Sequence, residues 1–228
     1  MDTYSIAIDG PAGAGKSTIA KLVAADLGFT YVDTGAMYRS IALYFLKNGI
    51  SESDSLKAAE ALKKIAVDIS YKNGEQQVML NGENVNGMIR TEEVSSMASK
   101  ISALPAVREK LLSLQRALAG SKNVIMDGRD IGTVVLPLAT LKIFLVASVH
   151  VRALRRFEEL KSKGEKCDLS SIEKEMELRD KRDMTRESAP LKKADDAAEV
   201  DTSDLSIAEV KDRIISLYRE ALSKKEKA

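Results

Sequence analysis

Short apolar runs and segments of helical periodicity alternate along this chain. Buried strands are predicted at residues 4–9, 29–32, 123–127 and 141–146, with a last short strand ending at 200–201. Between them, apolar residues recur every three or four positions, which is typical of helices that pack one face against a sheet. The order strand, loop, helix, strand makes a βαβ unit. The pattern therefore predicts an α/β fold with a parallel sheet and right-handed crossovers.

Polar residues indicate where several helices begin. Ser53 can cap the helix whose apolar stripe follows it. Ser170 with Glu173, and Ser206 with Glu209, have the spacing of capping boxes. The sequence therefore predicts helix starts at these three places.

The periodicity changes between residues 67 and 86. In residues 67–71 and 77–81, the side chains alternate with a period of two, which is typical of strands. Asn-Gly pairs, which are typical of tight turns, stand at 73–74 and 81–82. This pattern predicts a small antiparallel meander inserted between helices of the parallel α/β protein. Because the parallel sheet does not need such an insert, we expect it to lie at the mouth of a site.

A phosphate-binding loop stands between the first strand and the first helix. Its residues, with the next helical position, are Gly10, Pro11, Ala12, Gly13, Ala14, Gly15, Lys16, Ser17 and Thr18, and they match G-x-x-x-x-G-K-[ST]. The glycines let backbone N–H groups point at a phosphate, and the helix N-terminus faces the same point. Lys16 would then reach the β- and γ-phosphates, and the Ser17 hydroxyl would bind Mg²⁺. The motif in this context predicts that the chain binds a nucleoside triphosphate.

Polar signals follow three predicted strands. They are Asp9-Gly10, Asp33-Thr34-Gly35 and Asp127-Gly128-Arg129-Asp130. Ligands of parallel α/β sheets bind outside the carboxyl ends of the strands, so we expect these segments to share one site. Asp127 has the position of a Walker B acid, which would hold Mg²⁺ directly or through water. A strand-terminal aspartate can also cap a turn, but the phosphate loop favours the metal-linked role.

Basic residues cluster on one face of a late helix. Arg179, Arg182, Asp183 and Arg186 share that face at 3.6 residues per turn. One interpretation is a solvated helix with an Arg179–Asp183 ion pair. However, Arg182 and Arg186 are also four apart, and like charges at this spacing repel. Because a polyphosphate site needs converging arginines, the segment beside a phosphate loop predicts a catalytic lid.

Composition narrows the classes of partner. The chain has 228 residues with 35 Lys and Arg against 34 Asp and Glu, so a net charge of +1 gives no general affinity for nucleic acid or membranes. The single cysteine, Cys167, fits a reducing cytoplasm. The apolar stretch at 134–151 contains Pro137, Lys142 and His150, which argues against a membrane span. We expect a cytoplasmic protein, and a monomer.

Four motifs in this order resemble bacterial cytidylate kinases. They are the phosphate loop, Asp33-Thr34-Gly35-Ala36-Met37-Tyr38-Arg39, Asp127-Gly128-Arg129-Asp130-Ile131-Gly132 and the segment 179–186. The resemblance runs from about residue 4 to 220 and includes the meander. It implies one P-loop kinase domain over 1–228, in which helices flank five parallel strands. A monophosphate-binding region would span about 38–100, and a lid about 155–180.

The resemblance also implies roles for individual residues. Acceptor-phosphate binding is implied for Arg39 and Arg129; cytosine binding for Thr34, Arg108, Asp130 and Arg186; ribose binding for Ser99, Arg179 and Asp183; ATP binding for Arg152 and Arg156. Together with Lys16, the residues implied in catalysis are Arg129, Arg179, Arg182 and Arg186. Periodicity alone would leave Arg39 and Arg108 as ordinary exposed arginines.

The implied reaction transfers the γ-phosphoryl group of Mg·ATP to CMP or dCMP. Three other functions compete with it. Another small-molecule kinase, such as an adenylate or shikimate kinase, would share the phosphate loop. A GTPase-like switch is disfavoured because the chain lacks an [NT]-K-x-D motif. A nucleic-acid-binding ATPase is disfavoured by the balanced charge and by an aromatic content of only 4%.

Overall fold

A computed structural model describes residues 3–225 and contains two sheets. The larger sheet has five parallel strands in the order β2–β6–β1–β7–β8. These strands are β1 (Ser5–Asp9), β2 (Thr30–Asp33), β6 (Val124–Gly128), β7 (Leu141–Val146) and β8 (Ala198–Asp201). The smaller sheet is antiparallel, with β3 (Val67–Lys72), β4 (Glu75–Leu80) and β5 (Glu83–Asn84). The predicted parallel α/β fold with an antiparallel meander is confirmed.

Helices cover both faces of the parallel sheet. The α-helices in the described part of the chain are α1 (Lys16–Leu27), α2 (Thr34–Lys47), α3 (Ser55–Lys64), α4 (Glu92–Ile101), α5 (Pro105–Ser121), α6 (Val149–Ser162), α7 (Leu169–Thr185) and α8 (Ile207–Lys225). A π-helical turn, Ile131–Val135, follows β6. Within residues 3–225, no helix combines the length and apolar character needed to cross a membrane.

The core consists of two apolar clusters separated by the parallel sheet. One contains residues of α2, α4 and α5, and Val78 and Leu80 of the insert are buried in it. The other lies between the sheet and helices α1 and α8. Because alternate residues of β1 face opposite clusters, Ala7 belongs to the first and Ile6 and Ile8 to the second. The central strand is therefore buried on both sides, as in other parallel sheets.

Two of the three predicted helix starts are wrong. Asp54, not Ser53, caps α3, because its carboxylate accepts the Lys57 N–H at 3.0 Å. The Asp168 carboxylate caps α7, so this helix begins before Ser170. A carboxylate is favoured at a helix N-terminus because it also interacts with the helix dipole.

The third predicted helix start is confirmed, because Ser206 and Glu209 form a reciprocal capping box. The Ser206 N–H donates to the Glu209 carboxylate at 2.8 Å, and the Glu209 N–H donates to the Ser206 hydroxyl at 3.3 Å. This box stands at the start of α8, where its spacing predicts it.

The register of the sheet brings three polar strand ends together. Asp9 of β1 pairs with Gly128 of β6, and Asp33 of β2 pairs with Asp127 of the same strand. Since β6 lies between β1 and β2, the segments that follow these strands meet at the carboxyl ends of the strands. The candidate site is at this end of the sheet.

Candidate active site

The phosphate loop curls around the start of α1. Gly10 has φ 147°, and a Cβ on it would lie 2.2 Å from the carbonyl oxygen of Leu145, so only glycine fits there. Lys16 is the first residue of α1, and its ammonium donates to the Pro11 carbonyl at 2.6 Å. Burial, and then the positive charge of Arg129, lower the pKa of Lys16. A bound anion beside this ammonium would offset both effects.

The side-chain oxygens of Ser17 and Asp127 lie side by side near the loop. The Ser17 hydroxyl donates to Oδ2 of Asp127 at 2.7 Å, and the Tyr31 hydroxyl donates to Oδ1 at 3.0 Å. Burial raises the pKa of Asp127, and the carboxylate of Asp33 raises it further. No group of three or more His, Cys, Asp or Glu side chains within residues 3–225 could hold a metal. A hydroxyl and one carboxylate are nonetheless the donor set that fits Mg²⁺, which keeps waters and takes its other ligands from phosphates.

Asp9 joins the first strand to the turn after β6. Its carboxylate accepts the N–H groups of Ile131 at 2.8 Å and of Gly132 at 2.7 Å. Burial raises the pKa of Asp9 from 3.8 to about 6, although both hydrogen bonds lower it. This contact fixes the π-helical turn directly after Arg129 and Asp130.

Two arginines share the carboxylate of Asp130. Arg108 of α5 donates to Oδ2, and Arg186 donates to Oδ1 at 3.4 Å. Burial raises the pKa of Asp130, and the Arg108 guanidinium counteracts the shift. The Arg108 guanidinium lies 5.9 Å from the ring centre of Tyr38, which also lines the cleft. A buried carboxylate held between two guanidinium groups can accept further hydrogen bonds from a ligand in a fixed direction.

The cleft lining also includes arginines with free donor atoms. Arg39 donates to Oδ2 of Asp33 at 2.9 Å, and Arg129 donates to Asp183 at 2.9 Å. The Nε atoms of Arg39 and Arg179 are buried and have no hydrogen-bond partner among residues 3–225. Burial, with the neighbouring charge of Arg129, lowers the pKa of Arg179 to about 10. Buried donors without partners are costly, and a phosphate would satisfy them.

The cleft gathers charges of both signs. Its charged lining residues are six cations, Lys16, Arg39, Arg108, Arg129, Arg179 and Arg186, and four aspartates, Asp33, Asp127, Asp130 and Asp183. The other predicted site residues that line it are Ala12, Gly13, Ser17, Thr34 and Ser99. The arrangement can therefore hold an anionic ligand and read polar groups on it.

Several predicted site residues lie outside the cleft lining. Arg152 is buried. One terminal nitrogen of its guanidinium donates to the Ala12 carbonyl at 2.9 Å, and the other pairs with the Asp180 carboxylate at 2.6 Å. Arg156 lies on the surface side of α6 and pairs with Glu159 at 2.9 Å. Arg152 thus holds the phosphate loop against α7. The ATP-binding role of both arginines stays a prediction.

The partner of Asp183 in helix α7 differs from the one that the sequence suggests. Asp183 pairs with Arg129 and not with Arg179, so the Arg179–Asp183 interpretation is wrong for the part of the chain that the structure describes. Arg182 donates to the Ser99 hydroxyl at 3.1 Å, which connects α7 to α4. A tertiary partner, Arg129 of the segment after β6, has replaced the contact within the helix, because the fold brings its guanidinium to the buried Asp183 carboxylate.

Several residues that build this site could not be assigned a role from the sequence alone, among them Asp9, Asp33, Tyr38 and Ser102. Asp9 ends one predicted strand and Asp33 directly follows another. In the structure Asp33 caps α2 and pairs with Arg39. Tyr38 and Ser102 also line the cleft. The strand-end position was the available signal for the two aspartates, whereas Tyr38 and Ser102 have ordinary helical positions.

Comparison with known proteins finds relatives along almost the whole chain. A family model described as cytidylate kinase matches residues 6–220. A cytidylate kinase of Caldicellulosiruptor bescii is 52% identical over 218 residues, which are 96% of both chains. One of Lactobacillus johnsonii is 48% identical over 222 residues, 97% of this chain and 95% of that protein. A solved gluconokinase of Sinorhizobium meliloti has a TM-score of 0.53 at 14% identity, with 99% and 97% covered, and thus shares the fold.

Proposed function

Because the chain belongs to the cytidylate kinase family, we propose that its cleft transfers the γ-phosphoryl group of ATP to CMP or dCMP. The products are ADP and the corresponding cytidine diphosphate. One observation carries the proposal. A buried carboxylate held by two arginines, Asp130 with Arg108 and Arg186, lies in the same cleft as the phosphate loop.

The acceptor end is proposed around Asp130. Its carboxylate can accept from the exocyclic amine of cytosine, whereas the carbonyl of uracil at that position has no hydrogen to donate. Arg39 and Arg129 line the same cleft, where they can hold the acceptor phosphate. A carboxylate for the base and arginines for the phosphate together support a preference for a cytidine monophosphate over other acceptors.

The donor end is proposed at the phosphate loop. Backbone N–H groups at the start of α1 and the Lys16 ammonium would bind the β- and γ-phosphates of ATP. Ser17 and Asp127 would hold Mg²⁺, which supplies charge neutralisation on the phosphate oxygens when it is bound. The hydrogen bond between the Ser17 hydroxyl and Asp127 keeps these two ligands together at 2.7 Å.

Transfer between the two ends needs alignment more than acid–base chemistry. The attacking group is a phosphate oxygen, largely ionised near neutral pH, so a strong general base is unnecessary. Three cations that line the cleft, Lys16, Arg129 and Arg179, would neutralise charge on the transferring group. Movement of α7 and of the insert toward the nucleotides would exclude water and suppress ATP hydrolysis.

The test is a coupled ADP-release assay with Mg·ATP and five acceptors. CMP and dCMP should be used fastest, UMP more slowly, and AMP and shikimate hardly at all. Omission of Mg²⁺ should abolish turnover. Faster phosphorylation of AMP or shikimate would overturn the assignment of the acceptor, and ADP release without an acceptor would favour a nucleotide switch.

We also propose that the enzyme works as a monomer in the cytoplasm, in pyrimidine nucleotide metabolism. The single cysteine and the net charge of +1 support this setting, and nothing in the proposed reaction needs nucleic acid or a membrane. Light scattering after size-exclusion chromatography tests the oligomeric state. A mass twice the 24.8 kDa of one chain would contradict the monomer.

A further inference from the structure

Strand β2 is an edge strand, and the insert covers its free edge. In the parallel sheet β2 is bonded to β6 on one side only. Backbone N–H and C=O groups on the other side need partners, since unpaired buried groups are costly. These groups belong to the strand that ends in Asp33, directly before the acceptor end of the cleft.

Two side chains of the insert supply the missing partners. Tyr71 of β3 and Gln76 of β4 are directly opposite each other in the antiparallel register. The Gln76 amide accepts the N–H of Asp33 at 2.9 Å and donates to the carbonyl of the same residue at 3.1 Å. The Tyr71 hydroxyl donates to the carbonyl of Tyr31 at 3.1 Å.

These contacts reproduce part of a β-ladder with side chains. A strand residue that pairs with its neighbour exchanges both an N–H and a C=O, and the Gln76 amide offers Asp33 both partners at once. The insert holds the backbone of Gln76 in place, because the Asn86 side chain donates to the backbone carbonyl of Gln76 at 2.7 Å and accepts the Val78 N–H at 2.8 Å. The backbone of Asp33 therefore follows the position of the insert.

Asp33 passes this constraint to the acceptor site. Its Oδ1 accepts the N–H of Ala36 and so fixes the first turn of α2. Its Oδ2 accepts from Arg39 at 2.9 Å and from Arg90, which belongs to the segment between the insert and α4, at 3.1 Å. A shift of Asp33 would turn the Arg39 guanidinium, whose Nε is buried and has no partner within residues 3–225.

We propose that Gln76, assisted by Tyr71, is a positioning residue for the acceptor phosphate. It holds the Asp33 backbone so that Asp33 presents Arg39 to the monophosphate. The insert thus acts on the cleft through the edge of the main sheet. This inference rests on the proposed function, since it deals with the binding of CMP.

The first test is calorimetric titration of CMP and ATP into the wild type, Gln76→Leu and Gln77→Leu. Leucine has a similar volume and cannot form either hydrogen bond. Two lost hydrogen bonds that direct Arg39 should raise the Kd of CMP about tenfold, with the Kd of ATP changed less than about twofold. Gln77 is the matched control, because among residues 3–225 its side chain bonds only Asn84 and the Glu75 carbonyl, both within the insert.

Each outcome of this titration has one meaning. Absence of CMP binding to the wild type would defeat the proposed function itself. Equal CMP affinity of the wild type and Gln76→Leu would overturn only the positioning role. Equal weakening by Gln76→Leu and Gln77→Leu, or equal weakening of CMP and ATP, would also overturn it, because a general loss of structure would then explain the effect.

Double substitution separates positioning from packing. In the Arg39→Met background, Gln76→Leu should change the Kd of CMP by less than about twofold, since the group that it positions is gone. A full tenfold effect in that background would refute the route through Arg39. If Gln76→Leu does not fold, Tyr71→Phe carries the same test. It removes one hydroxyl and should weaken CMP binding two- to threefold, and no change would overturn the proposal.

Discussion

Asp9→Asn should change how the stability of the protein depends on pH. The Asp9 carboxylate is buried where β1 meets the turn after β6, with both oxygens bonded to backbone N–H groups. Burial raises its pKa from 3.8 to about 6. Asparagine has nearly the same shape and keeps one acceptor oxygen, but it does not titrate. The substitution therefore removes one proton-binding site that differs between the folded and unfolded states.

The sign of the effect follows from which state binds the proton. Between pH 3.8 and about 6 the folded state holds the Asp9 proton more tightly than the unfolded state. The contribution of Asp9 to the free energy of unfolding is then greatest at low pH, and it falls as the pH rises through about 6. For these two pKa values, the contribution falls by about 2 kcal/mol between roughly pH 4.5 and pH 7.5.

Urea unfolding followed by circular dichroism measures this quantity. The free energy of unfolding of the wild type minus that of Asp9→Asn should be larger at low pH by about 2 kcal/mol. Asp68→Asn, at an exposed position of β3, controls for the change in net charge. A difference that stays constant with pH, or that grows as the pH rises, would refute the reasoning. Carboxyl NMR of Asp9 should show a midpoint near 6.

Three further substitutions test other parts of the site. Lys16→Met should lower kcat by about 10²–10³, because one donor to the transferring phosphoryl group is lost; near-normal turnover in the coupled assay would contradict its role. Asp130→Ala should weaken CMP binding more than ATP binding and lower the free energy of unfolding by about 3–5 kcal/mol, since two buried guanidinium groups lose their carboxylate. Equal effects on both nucleotides in parallel titrations would count against it. Gly10→Ala should lose ATP binding and more than about 1 kcal/mol of stability, because the new Cβ meets the Leu145 carbonyl. Wild-type ATP affinity would disprove the close approach.

The fold and the donor end of the site could be predicted from the sequence because their signals are local. The phosphate loop needs its glycines, lysine and serine at fixed spacing between one strand and one helix, and all of these stand within residues 4–27. The insert was equally predictable, since period-two alternation and Asn-Gly turns specify a meander without long-range information. The predicted starts at Ser53 and Ser170 failed because nearby aspartates compete for the same helix termini.

What only the tertiary structure decided is which charges meet. Arg39 and Arg108 have ordinary helical positions in the sequence, and the packing of α2 and α5 turns them into the cleft. Asp183 pairs with Arg129, 54 residues away, in preference to a neighbour in its own helix. Gln76 meets Asp33 because β2 happens to be an edge strand, a property of sheet order. Backbone conformation and turns depend on nearby residues, whereas the pairing of buried charges and edge groups depends on which elements the fold brings together.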